Sequence, residues 1–227
     1  MSKGKLEKFE EVSRFENTLE LTDFQDPETD KPKDRWHTDV FGNDNPIVCE
    51  LGCGKGKYTL ELARRNPDKN YIGIDIKGDR IWRGAKRALD DELYNVRFMR
   101  MYIDHLEEYF APSEVSDVWI TFPDPYPRSP DSNKRLTSPK FLNIYQKVLK
   151  PGATIHFKTD DDDLFLFTRQ VMEETGCEVL DLKKNIHQKK VEDELVTIKT
   201  DYEKRHLADG RTISYLKFSL PEDPILD

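Results

Sequence analysis

From Pro46 onward, short apolar runs alternate with amphipathic stretches, the pattern of strand and helix units on a mostly parallel sheet. Ile47 to Leu51 reads as a first strand and Tyr58 to Arg65 as a helix closed by Asn66-Pro67. Tyr71 to Ile76 is a second strand. Asp79 to Leu93 follows as a helix with Ile81, Trp82, Ala85, Ala88 and Leu89 inward and Arg80, Arg83 and Arg87 on a different face. Val96 to Met101 predicts a third strand, Ile103 to Phe110 a short helix, and Val115 to Thr121 a fourth strand running into a proline-rich loop. Helices over Ser138 to Leu149 and Leu164 to Glu174 flank a strand at Ala153 to Thr159, and Glu178 to Leu182 and Thr212 to Ser219 are late strands. These last two are expected to pair antiparallel, because no clear crossover helix of adequate length separates them.

Residues 1–45 are rich in charge, Asp and Pro and carry little periodicity, so they are expected to form a mobile or loosely docked arm ahead of one domain over 46–227. The 35% charged composition and a mean hydropathy of -0.78 predict a very soluble chain without a membrane partner. No apolar run approaches the roughly 18 residues that span a bilayer, and the opening MSKGKLEKFEEVSRFE lacks the apolar centre of a secretory signal, so a cytoplasmic location is expected. Cys49, Cys53 and Cys177 are too few for a disulfide framework; Cys49 and Cys53 read as small core residues, and no metal is expected. A net charge of -8 argues against a sheath-like nucleic-acid binder. Any RNA contact is therefore local. The candidate clusters are Lys77, Arg80, Arg83, Lys86 and Arg87 on one helix, Arg128, Lys134 and Arg135 in one loop, and Lys183, Lys184, Lys189 and Lys190, although each alone reads as a solvated face.

Glu50-Leu51-Gly52-Cys53-Gly54-Lys55-Gly56 stands where the first strand meets a helix, the place where a doubly wound sheet binds its ligand. Its G-x-G-x-G spacing departs from the G-x-G-x-x-G of dinucleotide sites, which disfavours NAD. The plain alternative is a tight turn with no ligand. The E-x-G-x-G-x-G loop resembles motif one of class I methyltransferases, which implies that Gly52, Gly54 and Gly56 embrace the methionine part of S-adenosylmethionine. Asp75, at the tip of the second strand, is then placed to accept hydrogen bonds from both ribose hydroxyls. Glu50 reads as the loop's polar anchor.

Phe122-Pro123-Asp124-Pro125-Tyr126-Pro127-Arg128 is the most unusual stretch, with three prolines stiffening the backbone around one acid. With Asn133-Lys134-Arg135-Leu136 it resembles the F-P-D-P-W-P-K…K-R-R-L signature of bacterial tRNA (guanine-N(7)-)-methyltransferases, Tyr126 replacing Trp and Arg128 replacing Lys. Phe157-Lys158-Thr159-Asp160 and Thr200-Asp201-Tyr202-Glu203-x-Arg205 fit the same family, so the resemblance runs from about Pro46 to Phe218. It implies a Rossmann-like class I methyltransferase fold: α/β, a mostly parallel seven-stranded sheet, helices on both faces and a late antiparallel strand. It further implies that Glu50, Asp75 and Asp124 line the methyl donor and that Arg128, Asp160, Thr200, Asp201, Tyr202 and Glu203 contact the substrate guanine, in the variable loop of tRNA. Where the family places an acid and a small residue against adenine, this chain has Tyr102-Ile103, with Asp104 two positions on. Either Tyr102 or Asp104 takes that place.

Nitrogen 7 of guanine has a free lone pair, so its methylation needs no general base and rests on positioning and on stabilising the charge that develops. Asp124 is the expected catalytic residue. Asp160 and Glu203 are further acceptors for the guanine edge, with a helix cap as Asp160's competing role, and Tyr126, Tyr202 and Trp36 are candidate stacking partners. Two other readings stay open: an exocyclic amino methyltransferase, because Asp124-Pro125-Tyr126 is close to a D-P-P-Y loop, and a non-catalytic nucleotide- or RNA-binding module. Monomer and homodimer are equally compatible with the sequence.

Overall fold

The computed structural model describes residues 3–21, 30–187 and 198–225. Among these residues eight strands form one sheet in the order β1-β4-β3-β2-β5-β6-β8-β7. The strands are β1 (Thr18–Glu20), β2 (Ile47–Leu51), β3 (Asn70–Asp75), β4 (Val96–Arg100), β5 (Val115–Thr121), β6 (Leu149–Thr159), β7 (Glu178–Lys183) and β8 (Ser214–Ser219). Every pairing is parallel except those of β8, which runs antiparallel to both β6 and β7. The late antiparallel strand is thus as expected.

Both faces of the sheet are covered, which explains why β2 and β3 are buried at every position rather than alternating. Ile47, Cys49 and Leu51 point into a cluster with Tyr109, Leu142, Tyr145 and Leu164. Val48 points the other way, among Tyr58, Leu62, Ile81 and Ala85. The helices supplying these residues are α2 (Lys57–Arg65), α3 (Gly78–Asp90), α4 (Leu106–Tyr109), α5 (Pro139–Val148) and α6 (Asp162–Thr175). Each lies within a few residues of its predicted span.

The eighth strand is an addition to the seven expected. β1 is three residues long, too short for any alternation to register, and it adds to the edge through Thr18↔Phe98 and Glu20↔Arg100. The stretch to residue 45 also holds helix α1 (Lys3–Val12), which packs on α3 with the Trp82 Nε1 donating to Glu11 Oε2 at 2.6 Å. Trp36, a candidate for base stacking, is fully buried, stacks on Phe110 at 5.0 Å and donates its indole N–H to the carbonyl of Tyr109. It belongs to the core. Lys189 and Lys190 of the third basic cluster lie outside the described residues. Among those described, no helix is long and apolar enough to cross a membrane.

The chain passes from β2 to β3 and β4 in one direction and then returns to place β5 on the other side of β2. Such a reversal opens a crevice at the carboxyl ends of the two central strands. The glycine loop, the tip of β3, the loop that begins at Phe122 and the Thr200 to Tyr202 stretch converge there.

Candidate functional site

The glycine loop leaves β2 with Gly52, Gly54 and Gly56 at φ of +72°, +56° and +66°, a region that disfavours any other residue. The amides of Gly52 and Cys53 donate to the carbonyl of Ile74, and Gly54 N donates to Asp75 Oδ2 at 2.9 Å. The second Asp75 oxygen accepts from Lys77 N at 2.8 Å, so one carboxylate ties the loop to the exit of β3. The three glycines divide by function. A Cβ on Gly56 would come within 2.5 Å of the Phe98 ring, which makes it a packing residue, whereas the space over Gly54 is open and the nearest atom to a Cβ on Gly52 is 3.8 Å away.

Glu50 is buried and holds the start of α2: its Oε2 accepts from Thr59 N at 2.8 Å and from Thr59 Oγ1 at 2.5 Å, and Oε1 accepts from Thr121 Oγ1 at 3.1 Å. Burial pushes its pKa up to about 7, against the lowering effect of those hydrogen bonds. Cys49 and Cys53 are core residues, their thiols held protonated by burial.

Two cavities open on this loop. The first, of about 360 Å³, is lined by Gly52, Asp75, Tyr102, Asp104 and Asp124 among others. Tyr102 and Asp104 both face it, but the Asp104 carboxylate is paired with Lys140, while the Tyr102 ring is 53% exposed. The second, of about 270 Å³, is lined by Glu50, Gly52, Gly54, Thr200, Asp201 and Tyr202, with Lys55, Lys57, Arg80 and Arg205 at its edge. Gly52, Arg80 and Phe122 belong to both.

Asp124 stands exposed on its loop between Phe122 at φ +51° and Tyr126 at φ +43°. Such angles cost bulky residues of order 1–3 kcal/mol and persist only where the surroundings hold them. What holds them is visible. Phe122 N donates to the carbonyl of Lys158 at 2.8 Å, and Arg135 donates from Nε to Pro125 O at 2.9 Å and from Nη2 to Tyr126 O at 3.0 Å. Arg135 is buried, with its guanidinium 4.3 Å from the Phe167 ring centroid. Its expected place in an RNA-binding cluster is therefore corrected: its donors face carbonyls of its own chain. Arg128 and Lys134 project outward, both paired with Asp131 at 2.7 Å.

Thr200 caps helix α7 (Asp201–Ala208), its Oγ1 accepting from Glu203 N at 3.0 Å. Tyr202 stacks on His206 at 3.9 Å and leans on Phe122 at 5.3 Å. Asp160 lines neither cavity; its carboxylate sits 2.7 Å from His206 Nδ1 and accepts from Arg211 at 3.1 Å and Tyr202 Oη at 3.4 Å. Nor does Asp160 cap α6, since Asp161 accepts from Leu164 N at 2.7 Å. Glu203 is fully buried, with both oxygens within 2.9 Å of Lys158 Nζ.

A family model described as "Putative methyltransferase" matches residues 44–216. The chain is 46% identical to the tRNA (guanine-N(7)-)-methyltransferase of Christiangramia forsetii over 96% of its own length and 99% of that protein's. It is 37% identical to the protein of the same name from Bacillus subtilis, over 80% of this chain and 83% of that one. The chain belongs to the tRNA (guanine-N(7)-)-methyltransferase family. Among solved structures, the 16S rRNA methyltransferase KamB superposes with a TM-score of 0.63 at 18% identity, covering 86% of this chain and 97% of that one, a shared fold.

Of the family positions read from the sequence, the structure brings Gly52, Asp75, Tyr102 and Asp124 around the first cavity and Glu50, Gly54, Thr200, Asp201 and Tyr202 around the second. Gly56, Arg128, Asp160 and Glu203 lie outside both linings. Sequence reasoning assigned no role to Lys158, Thr59 or Thr121. Lys158 had a signal: a lysine between Phe157 and Thr159, at the end of β6 where consecutive residues are buried, has to find a polar or charged partner.

Proposed function

We propose that the chain transfers a methyl group from S-adenosylmethionine to nitrogen 7 of a guanine in tRNA, with the variable loop as its target and the cytoplasm as its place of work. The observation that carries this reading is the junction of the two cavities at Gly52, Phe122 and Arg80, one edged by the Asp75 carboxylate and the other by Thr200 to Tyr202. The family relatives named for this activity support the reaction and its substrate.

The residues present fit the methyl donor. Open space over Gly52 and Gly54 gives a cradle that a Cβ would fill, and Asp75 offers a carboxylate at the cavity edge. Asp75, Gly52, Gly54 and Tyr102 would hold it, Asp75 accepting from ribose hydroxyls. When bound, it supplies a methyl group on a positively charged sulfur. The chain's own task is then to bring guanine nitrogen 7 in line with that methyl, where positioning alone is worth up to roughly 7 to 11 kcal/mol. Asp124 faces the charge that appears on the purine ring, from a loop locked by Arg135. Tyr202 offers an exposed face on which an unstacked base can rest.

The deciding experiment incubates unmodified tRNA with radiolabelled methyl donor, digests the product and identifies the labelled nucleoside. 7-Methylguanosine is expected. Label on an adenine or cytosine amine would favour the exocyclic amino reading, and no label with retained RNA binding would favour a non-catalytic module.

A further inference from the structure

We infer that Lys158 is a positioning residue for the methyl transfer, holding the Thr200 to Tyr202 strip in register with the loop that carries Asp124. The inference rests on the reading of that strip as the wall that meets the base, and adds what fixes the wall in place. Lys158 is a fully buried cation on β6 that joins three other segments. Its Nζ lies 2.8 and 2.9 Å from the two oxygens of Glu203 on α7 and donates to Tyr58 Oη on α2 at 2.5 Å. Its carbonyl accepts from Phe122 N, and its ammonium sits 5.6 Å from the Phe122 ring centroid.

The direction taken by Glu203 is informative. Thr200-x-x-Glu203 is the pattern of a capping box, in which the glutamate carboxylate turns back to the amide of the capping residue. Half of that box forms, the Thr200 hydroxyl accepting from Glu203 N. The carboxylate instead points inward to Lys158 and to His187 Nε2 at 2.8 Å. A buried ion pair is seldom more stabilising than apolar side chains of the same volume, and its best-attested use is to fix register. Here register means the height of Asp201 and Tyr202, which lie between the cap and the anchored third residue of the helix. Lys158 and Glu203 line neither cavity, so their influence reaches the reaction through Tyr202 and Phe122.

The test compares wild type with Lys158→Met and with Lys158→Met/Glu203→Gln, the second removing both charges so that no lone ion is left buried. Four quantities are read: melting temperature, S-adenosylhomocysteine affinity, the single-turnover rate and KM for tRNA, and amide exchange over residues 201–208 without RNA. In the double variant, melting and S-adenosylhomocysteine binding are expected to stay near wild type while the rate at saturating tRNA falls about thirtyfold or more, as misplacement by an ångström does. KM should move less than about fivefold, and exchange in α7 should quicken by about tenfold or more while α2 keeps its protection. A rate within threefold of wild type, unchanged exchange in α7, or loss of cofactor binding and melting in step with the rate would each overturn the inference. Label on another atom in the wild-type assay would sink the nitrogen 7 reading alone, because the rate comparison holds for whichever nucleoside forms and α7 exchange needs no substrate.

Discussion

Glu50 connects the fold's pH dependence to its ligand loop. Its pKa is raised from the usual 4.5 to about 7 by burial, so folding favours the protonated carboxyl. A raised acid contributes stability that is fully present below about pH 4.5 and is lost as pH climbs through about 7. In denaturant titrations at pH 5, 6, 7 and 8, wild type is therefore expected to lose stability relative to Glu50→Gln, by on the order of 3 kcal/mol in total, and to level off above pH 8. A flat difference would show that the carboxyl titrates normally. Asp124 is the opposite kind of residue, exposed on its loop, so its charge is expected to matter to the reaction rather than to folding. Asp124→Asn should keep the fold and S-adenosylhomocysteine binding but lower the single-turnover rate on the order of a hundredfold, the usual loss when one preorganised charge is removed. Turnover within a few-fold of wild type would reduce Asp124 to a loop residue.

Helices and strands with long apolar stripes were legible one by one. β5 was read to the residue, and α2, α5 and α6 within a few positions, because their partners are the sheet faces that their own periodicity implies. Elements that owe their existence to a docking partner were not: α1 packs on α3, β1 borrows its pairing from β4, and α7 is anchored by a side chain from β6. The proline loop is the sharpest instance. Three prolines explain why it is stiff, but the positive φ of Phe122 and Tyr126 persists through Arg135 and the carbonyl of Lys158, neither of them in the loop. Arg135→Gln should accordingly cost about 2 kcal/mol of stability, as loss of charge-assisted hydrogen bonds does, and leave the salt dependence of tRNA binding unchanged. Chemical denaturation and a salt titration check both halves, and a flatter salt slope in this variant would return Arg135 to the RNA surface.

At the scale of the whole molecule, a chain of net charge -8 concentrates Lys55, Lys57, Arg80 and Arg205 around one cavity. Arg80 and Arg83 show no ion pair among the described residues, unlike Lys86 and Arg87 on the same helix, which pair with Asp90 and Asp91. The electrostatic footprint for RNA is therefore expected at the first turns of α3 and the edge of α7. Replacing Arg80 and Arg205 by Gln should reduce the log-log salt slope of tRNA binding by about 0.7 to 0.9 for each phosphate that the variant no longer neutralises. Slopes equal to wild type would leave both as solvated charges. The sequence by itself determined the strands and helices from Ile47 to the strand at Glu178, the glycine loop, the acid of Asp75 and the family, since these depend on periodicity and on spacings of a few residues. Only the tertiary structure decided which polar groups face the cavities and which face each other. Lys158 and Glu203 are 45 positions apart, as Arg135 and the Tyr126 carbonyl are 9, and a local pattern can mark a charge as buried, as it does for Lys158, without recording which partner folding brings to it.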